Sequence, residues 1–232
     1  DNPDVTIYQR YIIKNHFDYL AEEKIERQRG KRLFVGNGHN YILNQGLIFN
    51  VTLAFFKRSF LMENNLKFLN YTIAEDFLFF TSVLLLNPAI ISTSYNIYRY
   101  IVHENSITTT RSSKQAQKCV HDYLSVMKNI QQQLSNINDK AQSIYNIYTK
   151  AMNLNSFYIY KKILIANYST STYTSIINEF KKAKLLPIIH TGTNLKCIIG
   201  YSIINILTYI PILYKPTSFI YNRILAKYIL KL

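Results

Sequence analysis

NYTIAEDFLFFTSVLLLNPAIISTSYNIYRYIVHENSIT, residues Asn70–Thr108, decides how this chain folds. Glu75 and Asp76 stand at the head of the apolar run Phe77–Leu86. Adjacent carboxylates at the mouth of such a run are costly to bury unless they are paired, bound to a metal or used in chemistry. One reading is a helix start, where acids favour the helix dipole and cap free amides. The other is a site. From Glu75 to Leu86 the stretch reads as a helix, which Asn87-Pro88 stops. Ala89–Tyr100 then reads as one or two strands, rich in β-branched and aromatic residues.

Upstream lies AFFKRSFLMENNLKF, Ala54–Phe68, and downstream lie YNIYRY, Tyr95–Tyr100, and HENSIT, His103–Thr108. In this order and spacing the block resembles the acceptor-side half of an inverting family 2 glycosyltransferase. Bacterial enzymes that build capsules, O-antigens and lipooligosaccharides are similar in flavour. The resemblance runs from Leu47 to Thr110, about a quarter of the chain.

The resemblance implies an α/β fold: part of a GT-A-type mixed sheet with helices, then an all-helical C-terminal region. It implies that Asp76 is the general base and that Glu75 binds or orients the acceptor. A base must take the acceptor hydroxyl proton as that oxygen attacks the anomeric carbon, and a carboxylate within hydrogen-bond reach does so. His103 matches a downstream histidine that, in several enzymes of this fold, ligates the metal holding the donor diphosphate. Its other reading is a loop residue ordering the Asn105–Ser106 turn. Arg99 and Lys57 are candidate donor-phosphate contacts, Arg99 because its guanidinium fork suits phosphate oxygens. Both read equally as surface cations. The implied cofactor is a divalent metal, Mn or Mg. The implied partners are a nucleotide-sugar donor and a glycan or lipid-linked glycan acceptor. Family members also carry an opening strand of the type VSVIIPxYN and an Asp-x-Asp metal motif. Neither occurs here, so the donor-binding half is expected to lie outside these 232 residues.

With 48% apolar residues the chain can build a sizeable core, and general disorder is excluded. Cys119 and Cys197 are far apart, without metal-type spacing, so no disulfide framework or zinc site is read and a reducing compartment is the default. Charge is divided unevenly. Residues 1–110 carry 11 Lys/Arg against 10 Asp/Glu, and residues 111–232 carry 16 against 3. The division into 1–110, the acceptor-side part, and 111–232, a basic helical region, falls in the Thr/Ser-rich Thr108–Ser113. A cationic half seeks phosphates, on nucleic acid or on anionic lipid.

Before the decisive stretch, Val5–Ile13 reads as a strand, Ala21–Arg32 as a solvated excursion, Gly36–Gly38 as a turn, and Tyr41–Phe60 as holding a short helix. After Thr110 the apolar period is helical. Ala116, Val120, Tyr123, Leu124, Met127, Ile130 and Leu134 trace one helix, Ala141–Ile165 a second and Tyr173–Leu186 a third. Cys197–Tyr214 is 18 residues without a charge, just long enough to consider a span. Gly200 and Pro211 interrupt it, and Ser202, Asn205 and Thr208 make a polar stripe. The following segment sets Phe219 and Ile220 against Arg223, Lys227 and Lys231 on the opposite side, which reads as an interfacial helix on an anionic membrane surface. The expected location is therefore cytoplasmic, peripheral on the inner face of a bacterial cell membrane. A pair of core helices with a basic edge is the alternative. Two rival functions stand beside the transferase: a non-catalytic module docking to membrane or partner, and a single-strand nucleic-acid binder. No nucleic-acid motif is present, so nucleic acid is not an expected partner.

Overall fold

The computed structural model describes residues 2–13, 31–101, 112–136, 142–189 and 195–225. It divides into two units: residues 1–70 with 74–109, and residues 71–73 with 110–232. His103, Lys227, Lys231 and most of the charged stretch 21–32 lie outside the described residues, as does the side chain of Arg99.

The first unit is α/β. Its strands are β1 (Val5–Ile13), β2 (Arg32–Asn37), β3 (Ala54–Phe56) and β4 (Ala89–Ile101), in a mixed sheet of order β2-β4-β1-β3. β1 runs parallel to β4, with Val5 opposite Ile90 and Ile7 opposite Ser92. The edge strands β2 and β3 are antiparallel to their neighbours. The apolar run after the acidic pair forms α3 (Glu75–Leu85), following α1 (Gly38–Gln45) and α2 (Arg58–Glu63). Phe77, Leu78, Phe80, Val83 and Leu84 of α3 are buried, as are Val5, Ile7, Ile90 and Ile91 of the sheet. A helix apolar nearly all round is a core helix.

The Gly36–Gly38 turn is corrected. Gly36 and Asn37 finish β2, and Asn37 caps α1 directly, its side-chain oxygen accepting from the Asn40 N–H at 2.9 Å. Gly38 is required by close approach, since a Cβ there would stand 2.5 Å from the Leu84 carbonyl oxygen. The Asn87-Pro88 stop sits in the same corner. Asn87 adopts a left-handed φ of 57° and accepts from the His39 N–H, while Pro88 accepts from Gly38. Ala89–Ile101 forms one strand, with register shifts against β1.

All secondary structure described in the second unit is helical: α4 (Ser113–Ser135), α5 (Gln142–Ala166), α6 (Thr170–Lys182), α7 (Leu195–Tyr209), α8 (Tyr214–Ile220), a 3₁₀ turn at Pro211–Leu213 and a π turn at Tyr221–Leu225. Of the periodic residues of α4, Ala116, Val120, Tyr123, Met127, Ile130 and Leu134 are buried, and Leu124 is half-buried. α6 ends earlier than the pattern suggests, because Lys184 turns left-handed at φ 55°. Residues 185–189 are instead held by side-chain amides. Asn153, 3% exposed, donates to the Leu185 and Pro187 carbonyls and accepts from the Ile189 N–H at 2.7 Å. Asn205 accepts from the Ile188 N–H and donates to its carbonyl. Buried backbone groups need partners, and two asparagines supply them where no helix or strand does.

Many of the twenty tyrosines find a use in this core. The Tyr173 hydroxyl donates to the Leu207 carbonyl at 2.9 Å, so the Tyr160 hydroxyl, 2.5 Å away, donates to Tyr173. The rings of Tyr173 and Tyr214 stack at 3.9 Å, and Tyr214 donates to the Ile163 carbonyl while accepting from the Tyr168 N–H. Each phenol buries a large apolar ring and partners its single proton.

Candidate functional site

The site is built where α3 begins. Its N-terminal residue, Ala74, sits in the left-handed region at φ 62° and makes no side-chain cap. A non-glycine residue held there costs about 1–2 kcal/mol, and such positions cluster where surrounding structure over-determines them. Glu75 and Asp76 follow in the first turn, both half-buried, where the helix dipole favours negative charge.

Asp76 does not cap its own helix. Its Oδ2 accepts from the Val51 N–H, 3.2 Å away and 25 residues earlier. Val51 opens a 3₁₀ turn, Val51–Leu53, that leads into β3 and is itself capped by Asn50 through the Thr52 N–H. The Phe49 and Phe77 rings pack at 4.5 Å beside this bond. Burial pushes the Asp76 carboxyl above the usual carboxylate range, and the Val51 bond only partly offsets it. No cation pairs with Asp76 among the described residues. The result is a half-desolvated carboxylate tied down through one oxygen, with raised proton affinity.

The remaining candidates are not gathered around it. Lys57 is exposed at the start of α2, where its backbone N–H donates to the Asp4 carbonyl. No hydrogen bond or ion pair joins it to Asp76. Arg99 lies on β4, paired with Tyr11 of β1, and its side chain is outside the described residues, as is all of His103. Among the described residues no group of three His, Cys, Asp or Glu could hold a metal ion. The described residues therefore do not make the donor set that a divalent cation needs.

Sequence reasoning missed Val51 and Ala74. The pattern Asn50-Val51-Thr52 carries a capping signal that was open to reading. The left-handed Ala74 has no composition signal at all. It also missed Asp122 of α4, which accepts from the Thr72 N–H at 2.7 Å and pairs with Lys118 at the same distance. Burial raises the Asp122 carboxyl, but the bonds from Lys118 and Thr72 outweigh that and hold it below its ordinary range.

No protein-family profile, curated protein or solved structure matches this chain.

Proposed function

We propose that the chain is the acceptor side of an inverting glycosyltransferase, with Asp76 as general base. The donor is a nucleotide sugar and the acceptor a hydroxyl of a growing bacterial surface glycan. The acceptor oxygen attacks the anomeric carbon and its proton passes to the Asp76 carboxylate. The bond from the anomeric carbon to the donor's phosphate oxygen breaks, and the nucleotide diphosphate leaves with the electron pair. Glu75, one residue away in the same helical turn, orients the acceptor. Lys57 and Arg99 are proposed donor-phosphate contacts, and His103 is the proposed protein ligand for a divalent metal. No step is drawn through that metal.

The observation that carries the reading is the state of Asp76: half-buried, unpaired with any cation among the described residues, and raised in proton affinity by desolvation. A base works best when its affinity for the proton is shifted toward the operating pH. The test is Asp76→Asn in a chain that carries the donor-binding half. Asparagine keeps an oxygen for the Val51 N–H, so the turn stays anchored while the base is lost. Turnover should fall by on the order of 10²–10⁴ with the circular dichroism spectrum unchanged. Near-normal turnover would leave Asp76 as an anchor for the Val51 turn and nothing more.

A further inference from the structure

The second unit wears α7 inside out. Ser202, Asn205 and Thr208 form the polar stripe of this helix, yet Thr208 is buried on the Ile204 carbonyl and Asn205 turns inward to hold Ile188. Only Ser202 of the three is exposed. The outward side is carried by Ile199, Ile203, Ile206 and Tyr209, spaced three and four apart and each about half exposed or more. Past the break, Ile212 is 75% and Phe219 63% exposed. Ordinary surface helices show the reverse arrangement, and a contiguous exposed apolar face marks an interaction site.

Charge and length decide what covers it. After Glu179 the sequence contains eight Lys/Arg and no Asp or Glu. Cations edge the apolar face: Lys181 stands over the Tyr209 ring at 4.9 Å, and Arg223 over the Phe219 ring at 5.4 Å. Lys215 and Arg223 line one open groove with Phe219, Lys215 being steadied there by the Asn167 side chain at 3.1 Å. A second copy of the chain would bring the same cations against each other, so a self-association face is disfavoured. Among the described residues no single helix is long and apolar enough to cross a bilayer. The pair Cys197–Tyr209 and Pro211–Arg223 is bent by 114°. Fifteen residues of α7 span only about 22 Å, short of a hydrocarbon core of about 30 Å.

We infer that the α7–α8 face lies in the interfacial layer of an anionic phospholipid bilayer. Its isoleucines enter the acyl boundary and Lys215 and Arg223 meet lipid phosphates. This assignment stands on the helical unit alone and does not depend on the transferase reading.

The test uses the whole chain with vesicles of phosphatidylcholine alone or mixed with phosphatidylglycerol, read by co-sedimentation. The wild type should sediment with the anionic vesicles. The variant Ile203→Asn/Ile206→Asn/Ile212→Asn should lose binding on the order of tenfold or more at every salt concentration, because it removes the apolar part. The variant Lys215→Gln/Arg223→Gln should lose about fivefold per cation at low salt and little at high salt. All the substituted side chains are exposed, so melting curves should match the wild type. Wild type remaining in the supernatant at low salt overturns the proposal. So does an isoleucine variant that sediments like the wild type. A wild-type dimer in size-exclusion chromatography that the isoleucine variant dissolves, without vesicle binding by either, would assign the face to a second copy instead.

Discussion

Asp76 has two jobs that pull its carboxyl in opposite directions. The Val51 N–H favours the ionised form, and burial disfavours it more strongly. The net upward shift fixes two signs. A carboxyl whose affinity is raised on folding adds stability below its unfolded pKa and loses that contribution as pH rises through the folded value. Asp76→Asn should therefore raise the melting temperature at neutral pH, and the advantage should vanish in acid, as calorimetry across the range would show. Under the proposed transferase reading, the acid limb of the kcat profile should lie above the ordinary aspartate range. A limb at or below that range would contradict a desolvated base. Gly38 makes a sharper steric case. A methyl group 2.5 Å from the Leu84 carbonyl cannot be housed without moving α1 or the end of α3. Gly38→Ala should cost about 1–3 kcal/mol in urea unfolding.

Regular elements that carry their own sequence signature are legible in the sequence. Ser113–Ser135 and Gln142–Ala166 announce themselves by helical period, Glu75–Leu85 by an apolar run between an acidic head and Asn87-Pro88, and Val5–Ile13 by its β-branched and aromatic residues. The site was half legible for the same reason: acids at the head of an apolar run are conspicuous. What stayed hidden was set by contacts distant in sequence, such as the bond from Val51 to Asp76, or by backbone geometry such as the left-handed Ala74. Period alone does not orient α7. A polar stripe on an apolar helix looks like its wet side, yet Asn205 and Thr208 spend theirs on internal backbone groups. The stretch after α6 shows how far such amides are relied upon. Asn153→Leu keeps the forked shape at Cγ but strands the Leu185, Pro187 and Ile189 backbone groups. Its expected cost is about 2–5 kcal/mol, well beyond that of Asn146→Leu on the exposed side of α5.

Across the helical unit as a whole, tyrosine replaces much of the aliphatic filling found in other cores, and this gives it an alkaline limit. Burial lifts the Tyr173 phenol to about 12, with Tyr160, Tyr123 and Tyr168 also raised. Stability from these groups is complete below about pH 10, the unfolded value, and declines as pH climbs through the folded values. Tyrosinate absorbance should therefore rise in two stages: a reversible one from exposed phenols, and a cooperative one coinciding with loss of helix. A single smooth titration with the helices intact would contradict the buried network. The helical unit also takes in a three-residue outlier, Tyr71–Ile73, which precedes α3 and β4 in the sequence. Asp122 holds that outlier through the Thr72 amide. A gene cut at codon 110 would sever the unit from a strap it uses, leaving Asp122 with Lys118 alone. A single cut in the sequence therefore does not separate the two units. A fragment meant to stand alone, or a swap of helical regions between relatives, has to carry the strap across or engineer a substitute for it.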